Sequence, residues 1–185
     1  MLDASVVVLC GGRSTRLGTD KIAAPLGEST VLDHLLDALP SSWPVVAVGP
    51  ERPTHRAVRW TRESPPGGGP AAGVAAGLAL VETELVVVVA GDMPFAGPAV
   101  VRLAEALRTD SAIDAVAALD HKQANPLLAA YRVARLREVL PDPPQDRPAR
   151  TLLDLTHTCL AVTDEEVLDV DTAEALEAAR HRLEP

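Results

Sequence analysis

The residues best suited to chemistry lie close to the N-terminus, in the run Leu9-Cys10-Gly11-Gly12-Arg13-Ser14-Thr15-Arg16-Leu17-Gly18-Thr19-Asp20-Lys21. Its glycines carry no Cβ, so backbone N–H groups there can close around a phosphate. Arg13, Arg16 and Lys21 bring three cations into nine positions. The chain has 17 basic and 26 acidic residues and a formal net charge of −9, which would repel a polyphosphate, so a local inversion of sign is informative. The plainer alternative is a glycine-rich turn with solvated arginines; the concentration of cations, hydroxyls and glycines argues against it. The spacing is not that of a Walker loop. A formal G-x-G-x-x-A match at Gly67-Gly68-Gly69-Pro70-Ala71-Ala72 follows two prolines instead of a strand, so a dinucleotide fingerprint is a poor reading of it. It reads better as a loop feeding a helix N-terminus, with free amides near Ser64 to Gly69 for an anionic or polar ligand.

Carboxylates supply the second element of chemistry. Asp92 follows the apolar run Leu85 to Ala90, which places it at a strand's carboxyl end on the same edge as the loop. Magnesium takes hard oxygen ligands, commonly one or two carboxylates with phosphate oxygens and water. A turn Asp before Pro94 is the structural alternative. Asp169 and Asp171 are further candidates. Asp171 also reads as the N-cap of the last helix, with Glu174 closing a capping box. The histidines show no zinc spacing, and no Ser/His/Asp or Cys/His arrangement is offered for nucleophilic catalysis. A third group, Lys122 and Asn125 in the loop 121–126 and Arg150 near a helix start, could hold a phosphate-bearing acceptor; solvated surface is the plainer reading.

These residues need elements to position them. Strand-length apolar runs alternate with helical patterns, which predicts an α/β fold: a single-domain, doubly wound, mainly parallel sheet of Rossmann-like type over 1–185. Strands are expected at Ser5–Cys10, Val45–Val48, Val58–Trp60, Leu85–Ala90, Ala115–Leu119, Cys159–Val162 and Val167–Val170. Helices are expected from Ser29/Thr30 to Leu39 and over Ala71–Val81, Pro98–Leu107, Val133–Leu140, Ala149–Thr156 and Thr172–Arg182.

Composition excludes several classes. The acidic balance, the absence of a basic block and four aromatics argue against nucleic acid as a partner. The longest apolar runs are far short of the ~18–20 residues that cross a bilayer, and Met1-Leu2-Asp3 does not start a signal sequence, so no membrane is expected. Two cysteines suit a reducing cytosol, giving a cytoplasmic expectation.

Gly-Gly-x-Ser-x-Arg-Leu-Gly-x-Asp-Lys at 11–21 resembles the signature loop of the molybdenum cofactor guanylyltransferase (MobA-like) family of nucleotidyltransferases. Gly69-Pro70-Ala71-Ala72-Gly73, Ala90-Gly91-Asp92-Met93-Pro94-Phe95, Asn125-Pro126-Leu127 and Asp169-Val170-Asp171-Thr172 agree in order, so the similarity spans almost the whole chain. The family has Met more often at position 17, Ala at position 10, and often an Asp before the Pro-Gly stretch, where this chain has Glu63-Ser64-Pro65. The resemblance implies Mg²⁺-dependent transfer of a guanylyl group from GTP to the phosphate of molybdopterin, with CTP as the alternative donor in related cytidylyltransferases and a sugar- or alcohol-phosphate as the alternative acceptor in enzymes of the same fold. It implies Arg16, Lys21 and Asp92 as catalytic residues, and Leu9, Cys10, Gly11, Gly12, Arg13, Ser14, Lys21, Ser64, Gly69 and Asp92 as the nucleotide site. Asp92 and Asp171 would be the metal ligands, and proteins that insert or accept the cofactor would be contacts. A catalytically silent nucleotide-binding module of the same fold is the competing class.

Overall fold

The computed structural model describes residues 3–11, 20–140 and 142–183. A seven-stranded sheet is built from β1 (Ala4–Leu9), β4 (Val45–Val48), β5 (Arg59–Thr61), β6 (Leu85–Ala90), β7 (Ala115–Asp120), β8 (Gln123–Arg132) and β9 (His157–Ala161), in the order β5-β4-β1-β6-β8-β7-β9. β8 runs antiparallel to both its neighbours, and the other pairings are parallel. A small hairpin of β2 (Pro25–Leu26) and β3 (Ser29–Thr30) lies apart. The helices are α1 (Val31–Ala38), α2 (Gly69–Leu78), α3 (Gly97–Thr109), α4 (Val133–Val139) and α5 (Ala173–His181).

Both faces of the sheet are covered, which is why β1, β4 and β6 read as unbroken apolar runs. Val6, Val8, Val87 and Val89 point to one side and pack with Leu32, Leu35 and Leu36 of α1 and Val100 and Leu103 of α3. Val7, Val46, Val86 and Val88 point to the other and meet Val74 and Leu78 of α2 and Leu136 of α4. The α2 contact is close because of glycine: a Cβ on Gly77 would stand 2.6 Å from Val7 Cγ1. A third cluster ties α5 to the N-terminal hairpin through Leu26, Val31, Val170, Leu176 and Ala179.

The architecture is the expected one, with four corrections in the C-terminal half. The segment 121–126, expected as a loop, is the tip of the β7–β8 hairpin and the start of a ten-residue strand. Pro126 disguises it. The β7–β8 register jumps from Ala117↔Ala129 to Ala118↔Asn125, so Pro126 falls in a bulge where the ladder asks nothing of its missing N–H. Tyr131 O–H donates to Pro126 O at 2.8 Å across the irregularity. Residues 167–170 form no strand: Val170 makes one backbone bond, donating to Asp92 O at 2.9 Å, and the apolar side chains serve to hold the segment down. The helix expected over 149–156 is a 3₁₀ turn, Ala149–Leu153. The cap of α5 is Thr172, whose hydroxyl accepts from Ala175 N at 3.1 Å, so Asp171 is not the N-cap.

Candidate active site

The carboxyl ends of β1, β4 and β6 finish level with one another. Cys10 N donates to Val48 O (2.8 Å) and Gly91 N to Leu9 O (2.9 Å), so three strand ends are stitched into one ledge. Gly49 makes this possible: its φ of +151° suits glycine, and a Cβ would stand 2.8 Å from the Cys10 carbonyl. Above the ledge opens a cleft of about 840 Å³, where open α/β sheets place their ligands.

Lys21 enters from the 3₁₀ turn Lys21–Ala23, and its ammonium bridges Asp92, at the end of β6, and Asp171, just before α5. The bond from Val170 N to Asp92 O brings those two carboxylates together across nearly eighty residues of chain. The approach to Asp171 is secured further back. The carboxylate of Glu166, buried, takes both Arg102 N–H groups (2.6 and 2.9 Å) and Thr163 N (2.9 Å). Arg102 holds Glu166 below the usual carboxylate range, against the effect of burial.

The electrostatics follow from this grouping. Burial works against the charged form of Lys21, but hydrogen bonds to Asp171 and Asp92 outweigh it and hold the ammonium above the usual lysine range. Asp169 is pushed up by burial first, then by Asp171 and Asp92. Burial also lifts the Cys10 thiol to about 12, with Arg52 opposing.

Of the residues anticipated for nucleotide binding, Leu9, Cys10, Gly11, Lys21, Gly69 and Asp92 line the cleft. Gly12, Arg13, Ser14 and Arg16 lie outside the described residues. Ser64 is exposed and its carbonyl accepts from Gln145 Nε2 (3.3 Å), while its neighbours Glu63, Pro66 and Gly67 reach the cleft. Glu63 Oε1 accepts from Gly67 N at 2.9 Å, fixing the turn before α2. Asp171 meets Lys21 at the cleft's edge. Lys122 is exposed at the hairpin tip, Arg150 is exposed on its 3₁₀ turn, and Asn125 Oδ1 accepts from Leu127 N (2.9 Å). Leu127 is the residue of that strand that lines the cleft.

Sequence reasoning misses Arg52, on the segment after β4, which lines the cleft and pairs with Asp20. The available signal is its place a few residues beyond a strand's carboxyl end. Among the described residues no group of three or more His, Cys, Asp or Glu side chains converges as a metal cage. Asp92 and Asp171 do share one cation, the Lys21 ammonium, so their hard oxygens already accommodate positive charge between them, as a Mg²⁺ completed by phosphate oxygens requires.

A family model described as the MobA-like NTP transferase domain matches residues 6–162. A protein named "probable molybdenum cofactor guanylyltransferase" from Natronomonas pharaonis is 30% identical, with 96% of each chain covered. Among solved structures, molybdopterin-guanine dinucleotide biosynthesis protein A from Archaeoglobus fulgidus superposes with a TM-score of 0.74 at 23% identity, covering 96% of this chain and 97% of that one. A nucleotidyl transferase from Methanothermobacter thermautotroptrophicus gives 0.75 at 20% identity, with 97% of each covered.

Proposed function

The chain belongs to the MobA-like NTP transferase family and is a nucleotidyltransferase, and from that premise we propose that it transfers a guanylyl group from GTP to the phosphate of molybdopterin, releasing pyrophosphate. The observation that carries the reading is the meeting of Lys21 with Asp92 and Asp171 at the rim of the cleft. Three parts of the chain direct their charged groups to one point there, where transferred phosphates would lie.

In the reaction, an oxygen of the acceptor phosphate forms a bond to the α-phosphorus of the nucleotide, and the bond from that phosphorus to the bridging oxygen of pyrophosphate breaks. A phosphate monoester is mostly dianionic at pH 7, its second pKa being about 6, so the nucleophile needs no general base. This suits a cleft whose described residues include no histidine. What the protein supplies is position and compensating charge. Lys21 places an ammonium against developing negative charge, and Gly11 just after β1 and Gly69 at the start of α2 line the cleft beside it. Asp92 and Asp171 would hold a Mg²⁺, which when bound neutralises charge on phosphate oxygens.

Glu63 favours guanine over cytosine. A carboxylate only accepts hydrogen bonds, and the pairing edge of guanine presents adjacent N–H donors where cytosine presents one amino group. One Glu63 oxygen fixes the Gly67 turn, which orients the other. The test is to offer GTP, CTP, ATP and UTP with Mg²⁺ and molybdopterin and measure pyrophosphate release. GTP is expected to support turnover and EDTA to abolish it, and Glu63→Gln should lose preference for GTP more than overall rate. Turnover with CTP alone, or tight GTP binding without turnover, overturns the reading. Molybdopterin and a nucleoside triphosphate are then its small-molecule partners. Among the described residues no helix is long and apolar enough to cross a membrane.

A further inference from the structure

We propose that Arg52 is a positioning residue for Lys21, acting through Asp20. The inference rests on the chain being a nucleotidyltransferase and not on which base or acceptor it takes. Arg52 lies in the cleft wall with its side chain 16% exposed and pairs with Asp20, 32 residues earlier in the chain. Asp20 also acts through its backbone, where its carbonyl accepts from Ala23 N at 3.1 Å and closes the turn that carries Lys21. The ion pair therefore grips the backbone one residue before the ammonium that serves Asp92 and Asp171.

A grip positions only if its other end is fixed, and the Arg52 segment is fixed on both sides. Upstream it leaves β4, and Arg52 Nε donates to Pro50 O at 3.3 Å. Downstream, Arg56 donates to the carbonyls of Leu36 (3.1 Å), Leu39 (3.2 Å) and Trp43 (3.0 Å), closing the C-terminal end of α1. His55 N donates to the buried Asp33 Oδ1 at 2.9 Å. The segment is thus bolted to α1, and Arg52 hands that rigidity on to Asp20.

A direct role on the triphosphate fits less well. Paired with Asp20, Arg52 is close to neutral at a distance and adds little to the field that draws an anion into the cleft. Its worth lies in geometry, where a displacement of about 1 Å at a reacting group costs on the order of a hundredfold in rate.

Lys21 and Lys122 are the chain's only lysines, which gives a readout that needs no turnover. An amine reagent is added in trace amount to wild type, Arg52→Gln, Arg52→Lys, Asp20→Asn, the double neutral variant Arg52→Gln with Asp20→Asn, and the exchanged pair Arg52→Asp with Asp20→Arg. Labelling is followed by mass spectrometry. Lys122, exposed at the hairpin tip, is the internal control. Lys21 is expected to label roughly two- to fivefold faster in Arg52→Gln and Asp20→Asn, the change that loss of one partly exposed ion pair gives. It should label no faster in the double neutral variant than in either single one, and return toward wild type in the exchanged pair. With whichever nucleotide the wild type uses, kcat should fall roughly ten- to a hundredfold with little change in KM. Arg52→Lys should recover part of it, since an ammonium keeps the charge but not the planar fork. Unchanged Lys21 labelling in Arg52→Gln overturns the proposal, as does a rise in KM with kcat kept, which would make Arg52 a ligand of the nucleotide. Absence of turnover in the wild type would count against the proposed reaction and leave the labelling result to decide this inference.

Discussion

Lys21 is the residue through which most of the site's electrostatics passes. Its ammonium is held charged by two carboxylates, and without it Asp92, only 13% exposed, would face Asp171 with that bridging cation gone. Removing one preorganised charge of this kind costs on the order of 10²–10³ in rate. Lys21→Ala is therefore expected to lose that much kcat while still melting cooperatively by circular dichroism. The two cysteines offer a second check at this scale. Cys10 is buried, its thiol lifted to about 12, whereas Cys159 is exposed. At pH 8 iodoacetamide should alkylate Cys159 alone, with Cys10 reacting only after urea unfolds the chain; both positions are read by mass spectrometry. The sign of the linkage is set by a folded-state value above the unfolded one. The contribution is whole below the ordinary thiol pKa of 9.0 and is lost as pH rises from there toward 12. Cys10→Ala should therefore show a flatter stability profile over that alkaline range.

The elements that carry these residues are legible in the sequence to different degrees, and for physical reasons. Val45–Val48 and Leu85–Ala90 are legible to the residue because both faces of each strand are buried and leave no polar position to blur the run. β8 is hidden because Asn125 and Pro126, which normally break a strand, sit in its bulge. The 163–172 segment misleads because its valines anchor a loop instead of pairing in a ladder. Candidate residues near the strand ends are legible from glycine and carboxylate type alone. Arg52 is not, since a single arginine in a loop has no signature until the fold brings Asp20 to it. Glu166 is likewise invisible in sequence yet fixes the approach to Asp171. Glu166→Ala is expected to destabilise by about 1–3 kcal/mol in urea unfolding, leaving Thr163 N and half-exposed Arg102 without their acceptor. Arg102 depresses the Glu166 pKa, so this contribution is complete above the ordinary carboxylate value and fades as pH falls through the lowered one. The gap between wild type and variant should narrow in acid, a trend that urea titrations between pH 3 and pH 7 would follow.

Across the whole molecule, the cleft belongs to no single element. Its walls come from the ends of β1 and β6, the 3₁₀ turn at Lys21, the segments after β4 and β5, the start of α2 and Leu127 of β8. A ligand that touches all of them couples their stabilities, and one that binds only the folded state adds about 2.7 kcal/mol at a hundred times its Kd. The nucleotide that the enzyme uses should give the largest rise in melting temperature of the four triphosphates, with Lys21→Ala reducing that rise; differential scanning fluorimetry measures both. Equal shifts for all four would mean that the base is not read. The central place of β1 has a different consequence, one of timing. Its partner on one side is β6, paired from Ala4↔Leu85 to Leu9↔Ala90 and therefore synthesised about eighty residues later. At about 5–20 residues per second the ribosome needs on the order of 4–16 s to deliver that partner. Throughout that interval an almost wholly apolar strand is finished but unpaired on that edge, so during synthesis this protein depends on whatever shields a nascent strand.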